Sequence, residues 1–60
     1  MQRYMVVIYD GQGTAAIFTD DLDKAEDYRM NSECGMGWHA EVYERTEIEE
    51  GLTAYQFMYS

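Results

Sequence analysis

Residues 3–9, RYMVVIY, followed by DGQG and then TAAIF, constrain the fold more than any other part of the chain. So short a run of apolar, β-branched and aromatic side chains, closed by turn residues, predicts a strand rather than a helix. It is apolar on both faces, the pattern of a central strand or of a strand with one face covered by a partner. Gly11 and Gly13 can take the positive φ that a tight hairpin requires, so Thr14 to Phe18 return as a second strand. The chain therefore begins as a hairpin with the rest of a sheet to be built beside it.

TDDLDKAEDYRMNSECG then changes the period. Leu22, Ala25 and Tyr28, or Arg29 through its stem, recur at helical spacing and make one narrow apolar stripe. Thr19 or Asp20 is the expected N-cap, with Asp20, Asp21 and Asp23 at the positive end of the helix dipole. Asn31, Gly35 and Gly37 offer stopping points, so the helix is expected over about 21–33. From Trp38 the two-residue alternation returns. Trp38, Ala40 and Val42 fall on one face; His39, Glu41, Tyr43, Arg45, Glu47 and Glu49 share the other if the strand runs unbroken. Glu49-Glu50-Gly51 reads as a turn, and Leu52 to Tyr59 as a last strand with Thr53, Tyr55, Phe57 and Tyr59 on one side. The order is ββαββ, which predicts a single α+β domain over residues 1–60, a small antiparallel sheet with one helix packed on one face.

A chain of 60 residues buries only about 60% of the surface that its unfolded form exposes. Small domains of this size usually add disulfides, a metal or an oligomer. Cys34 is the only cysteine, so no disulfide can form within the monomer, and a reducing compartment is expected. No signal peptide or membrane span is read from the sequence, which points to the cytoplasm. Good packing or self-association is left as the source of stability. There is no proline, so the strand edges lack that guard, and negative charge is expected to take its place.

The charge is unusual. Twelve acidic residues face four basic ones, for a net charge of −8. Such a field repels nucleic acid and anionic membrane and attracts basic surfaces. The plainer explanation is that acidity keeps a small protein soluble. Cys34 and His39 form no motif for nucleophilic catalysis, and no enzymatic activity is expected. Asp20, Asp21, Asp23 and Asp27 lack the ligand pattern of a calcium loop, so neither a metal nor a cofactor is expected. The aromatics Tyr4, Tyr9, Tyr43, Tyr55, Phe57 and Tyr59 could make a base-stacking platform, but such platforms require a cationic groove.

What remains is AEVYERTEIEEG, residues 40–51, with five glutamates. Alternate strand residues lie roughly 6.6 Å apart on one face, a spacing comparable with that of phosphates along a DNA strand. Glu41, Glu47 and Glu49 could thus form a row of anions interrupted by Arg45, with Glu44 and Glu50 on the other face. Asp23, Glu26 and Asp27 would be a second arm if they lie on the same side.

The order hairpin, helix, strand across Arg3 to Ile48, on a short acidic chain, resembles the small uracil-DNA glycosylase inhibitors of Bacillus phages, which imitate DNA. The resemblance implies carboxylates set into the enzyme's DNA-binding groove and an apolar pocket that captures an inserted side chain. It also implies pairing as dimers, and the cytoplasm of a bacterial host if the chain is phage-encoded. No site residue is carried over from that family. From charge and strand pattern, the candidate partner-binding residues are Glu41, Glu44, Glu47, Glu49, Glu50, Asp23 and Asp27, with Met36, Trp38 and Met58 for the apolar pocket. The expected function is inhibition of a DNA-binding host enzyme, uracil-DNA glycosylase first, by a homodimer or a chain that buries an apolar face on its target. The alternatives are a small structural or regulatory interaction module and a mimic aimed at a nuclease or restriction enzyme.

Overall fold

The computed structural model describes residues 2–32 and 37–60. The chain forms β1 (Tyr4–Tyr9), β2 (Thr14–Thr19), α1 (Leu22–Ser32), β3 (His39–Glu49) and β4 (Leu52–Tyr59), in the expected order ββαββ. The four strands make one antiparallel sheet in the order β2-β1-β3-β4. The apolar run at 3–9 thus supplies a central strand, as its composition requires.

Both turns depend on glycine. Gly11 in the first hairpin has φ 89° and Gly51 in the second has φ 81°, conformations that cost a residue with a Cβ more than glycine. Asp10 fixes the first turn: its Oδ1 accepts the amides of Gln12 and Gly13, both at 2.8 Å. Those two bonds hold its carboxyl below the usual carboxylate range.

The helix begins one residue later than its composition suggests. Asp21 is the N-cap, its Oδ1 accepting the Asp23 amide at 2.9 Å, while its carbonyl accepts the first helical bond from Ala25. Thr19 and Asp20, the expected caps, have other partners. Thr19 Oγ1 accepts the Asp21 amide, and Asp20 Oδ1 accepts the Arg3 amide at the start of β1. Both bonds shape the entry to the helix and leave the cap itself to Asp21.

One face of the sheet lies under α1. Tyr4, Val6, Ala25, Ala40 and Val42 are buried together, with Ile8 and Tyr59 packed against them. Val6 and Val42 face each other across β1 and β3 and are fully buried. Each such side chain contributes roughly 1.5–3 kcal/mol of transfer free energy. Along the helix, Arg29 rather than Tyr28 completes the inward stripe, its side chain only 17% exposed and its guanidinium 5.4 Å from the Tyr59 ring centroid.

Two β-bulges break the expected alternation. Val42 pairs with Tyr59 but Tyr43 pairs with Phe57, so Met58 is an extra residue on β4. The bulge sends Tyr59 to the helix side, away from Tyr55 and Phe57, with which strict alternation had grouped it. There its hydroxyl donates to Glu26. On β3, Glu47 pairs with Thr53 and Glu49 with Leu52, which makes Ile48 the extra residue and takes Glu49 out of the row of Glu41 and Glu47. Beyond Arg45, β3 has only β4 beside it, and this two-stranded arm lengthens the molecule to 41 × 22 × 17 Å.

The expectation of charged edges is overturned. The edge strands, TAAIFT in β2 and LTAYQFMY in β4, carry no charged residue, while the strand glutamates lie on the inner strand β3. Among the described residues, no helix is long and apolar enough to cross a membrane.

Candidate protein-interaction surface

Because Tyr4 and Val6 point into the core, Met5, Val7 and Tyr9 point to the opposite side of the sheet. Register then builds rows on that side. Phe18, Met5, Tyr43 and Phe57 lie across all four strands; Ala16, Val7 and Glu41 form the next row, and Thr14, Tyr9 and His39 the one after. Arg45 with Tyr55 and Glu47 with Thr53 continue the same side onto the arm. No element of the described chain covers this face.

The rings on it contact one another without closing over it. Tyr43 and Phe57 meet edge to face at 5.8 Å, Phe18 and Tyr55 tilt together at 5.8 Å, and Tyr9 stacks on His39 at 5.9 Å. Phe18 remains 45% exposed and Phe57 55% exposed. Among the described residues no cavity is enclosed on this face.

Glu41 sits within this apolar surface and is tied to it. Its Oε1 accepts the Tyr43 hydroxyl at 2.9 Å and the Tyr9 hydroxyl at 3.4 Å, and its Oε2 lies 3.4 Å from His39 Nε2. The Tyr43 bond, followed by His39 and Tyr9, holds the Glu41 carboxyl below its usual range against the opposing effect of burial. Conversely, the bond to Glu41 pushes the Tyr43 phenol up. The carboxylate stays ionised and fixed in position at neutral pH.

The other candidate carboxylates do not gather around it. Glu47 shares the face of Glu41, but six residues along a strand is roughly 20 Å, and Tyr43 and Arg45 stand between them. Glu44 faces the helix side and forms an ion pair with Arg3 at 3.1 Å. Glu49 and Glu50 are exposed at the end of the arm, and Asp23 and Asp27 are exposed on the helix, across the sheet from Glu41. Glu26 is engaged by Arg29 and by the Tyr59 hydroxyl, which together hold its pKa at about 2. Glu41 and Glu47 therefore lie across the sheet from Glu44 and the helix acids, and the carboxylates make no single row.

The expected apolar pocket is not assembled either. Trp38 precedes β3 and is 45% exposed, instead of joining Ala40 and Val42 on the buried face. Met58 is the exposed bulge residue of β4, about four residues away in register, or roughly 13 Å. Met36 and Cys34 lie outside the described residues. Of the aromatics considered as a platform, Tyr9, Tyr43, Tyr55 and Phe57 share the open face, whereas Tyr4 and Tyr59 belong to the helix side. The face had a signal in the sequence, the two-sided apolarity of RYMVVIY. Among the described residues, no three His, Cys, Asp or Glu side chains come together as metal ligands. No protein-family model, curated protein or solved structure matches this chain.

Proposed function

We propose that this chain is a non-enzymatic protein-interaction module that docks the uncovered face of its sheet on a basic protein surface. The supporting observation is that face itself: rows of half-exposed aromatic and apolar side chains around a fixed, ionised Glu41. A net charge of −8 selects a basic partner by complementarity. The most specific form of this reading is occupation of the DNA-binding groove of a host enzyme, with uracil-DNA glycosylase as the first target. Glu41 and Glu47 on the open face, with Glu49 and Glu50 at the end of the arm, would then stand at phosphate positions. Excision of uracil from DNA is the direct assay. Inhibition by the intact chain, weakened at least tenfold by Phe18→Ser or Phe57→Ser, supports the reading. Undiminished excision at excess protein rejects that target, and inhibition unaffected by both substitutions rejects the face.

A second reading, a structural or regulatory module whose acidity serves only to keep it dissolved, has its own support. The carboxylates are divided between the two sides of the sheet, and Glu26 and Glu44 are engaged by arginines of the same chain. Salt separates the two readings. Binding to a basic groove weakens steeply from low to high ionic strength, whereas docking through the aromatic face alone barely changes.

A further inference from the structure

We propose that the outer edge of β2 accepts an extended segment of a partner protein as a fifth strand, uncharged in its middle and carrying lysine or arginine at both ends. β2 pairs with β1 through an unbroken six-residue register from Thr14 to Thr19. Among the described residues, no strand lies on its far side. Native edges are normally guarded by lysine, proline, a bulge or a covering element. β2 has no charge, no proline and no bulge, and Thr14, Ala15, Ala16 and Phe18 are exposed. β4, the other edge, is also uncharged, but the Met58 bulge interrupts its ladder. The small side chains of Ala15 and Ala16 leave room on both faces beside an added strand.

Charge identifies the occupant. Asp10 lies beyond one end of β2, with Asp20 and Asp21 beyond the other. All three carboxylates are fixed by backbone amides: Asp10 by Gln12 and Gly13, Asp20 by Arg3, and Asp21 by Asp23. A second copy pairing edge to edge about a two-fold axis would run antiparallel. It would set Asp10 of each copy near Asp20 and Asp21 of the other, like charges at both ends. A strand with basic ends meets opposite charges there instead, and its main chain supplies the pairing, as in strand addition to other sheets.

The test uses the intact chain and a capped synthetic peptide of seven residues, alternating threonine and valine between terminal lysines. Amide exchange is followed residue by residue with and without peptide. The expected result is at least tenfold slower exchange at the outward amides of β2, abolished when alternate peptide amides are N-methylated. Glutamates in place of the terminal lysines should weaken binding at least tenfold. Phe57→Ser, on the open face, should leave it unchanged, so this result stands or falls separately from docking through that face. The proposal is overturned if β2 exchange does not respond, if protection maps to β4 or to the open face, or if the N-methylated peptide protects equally. It is also overturned if β2 becomes protected as the protein's own concentration rises, which would make the occupant a second copy.

Discussion

On the helix side of the sheet Val6 and Val42 are fully buried, whereas on the other side Phe18 and Phe57 keep 45% and 55% of their surface in contact with solvent. The valines come from the two inner strands and the phenylalanines from the two edge strands, while Met5 and Tyr43, at alternate positions of the inner strands, share the side of the phenylalanines. The difference lies in what covers them. The helix lies on only one face, where Ala25 meets Ala40, Val6 and Val42 at close approach, with the rings of Tyr4 and Tyr59 packed beside them. On the open face the rings contact only one another, with no element of the described chain above them. One face is built to hold the molecule together, and the other presents apolar surface that folding does not consume. In so small a chain this division limits stability to a short core, and it is the reason the open face is read as a partner surface.

Substitutions on each side separate the two faces. Val6→Ala removes buried methyl groups beneath the helix and is expected to cost about 2 kcal/mol in urea unfolding. Phe57→Ser, a far larger change of side chain, is expected to cost less than about 1 kcal/mol, because most of that ring is exposed. Equal losses at the two positions would mean that the open face is covered in solution. Asp21→Ala acts on the cover itself. Loss of the N-cap is expected to cost about 1 kcal/mol and to speed amide exchange in the first turn of α1.

A subtler contrast concerns the two engaged carboxylates. Glu26 joins α1 to β4 through Arg29 and Tyr59, with a pKa lowered from 4.5 to about 2. A folded-state pKa below the unfolded one means that the contribution is complete above about 4.5 and is lost as pH falls toward 2. Glu26→Gln should therefore lower stability at neutral pH and flatten the fall in the urea midpoint across that window. Glu41 is also depressed, by bonds made within the open face, so Glu41→Gln should change the acid slope in the same direction while leaving the helix ends unaffected.

Much of the fold was legible because periodicity is a local property. The hairpin glycines, the helical stripe from Leu22 and the alternation from His39 each report an element through neighbouring residues. The bulges were not legible, since Met58 and Ile48 are ordinary strand residues that only the register across to the neighbouring strand makes extra. That single insertion at Met58 puts Tyr59 on the core side, apart from Tyr55 and Phe57, with which alternation groups it. The N-cap is not legible among three adjacent residues of suitable type, because Arg3, distant in sequence, engages Asp20 and Asp21 caps the helix. The aromatic face was half legible, as two-sided apolarity in β1. Whether acids and aromatics share it depended on where the helix packs, which no local pattern encodes.

One face of this sheet is sealed by the helix, and no element of the described chain covers the other. A soluble paramagnetic probe, which broadens the NMR signals of groups that it can approach, tests this directly at low and high protein concentration. Strong broadening of the Phe18 and Phe57 rings is expected at both concentrations, with the Val6 and Val42 methyl groups unaffected. Protection of those rings equal to that of the valines would show instead that the second face is already covered in solution.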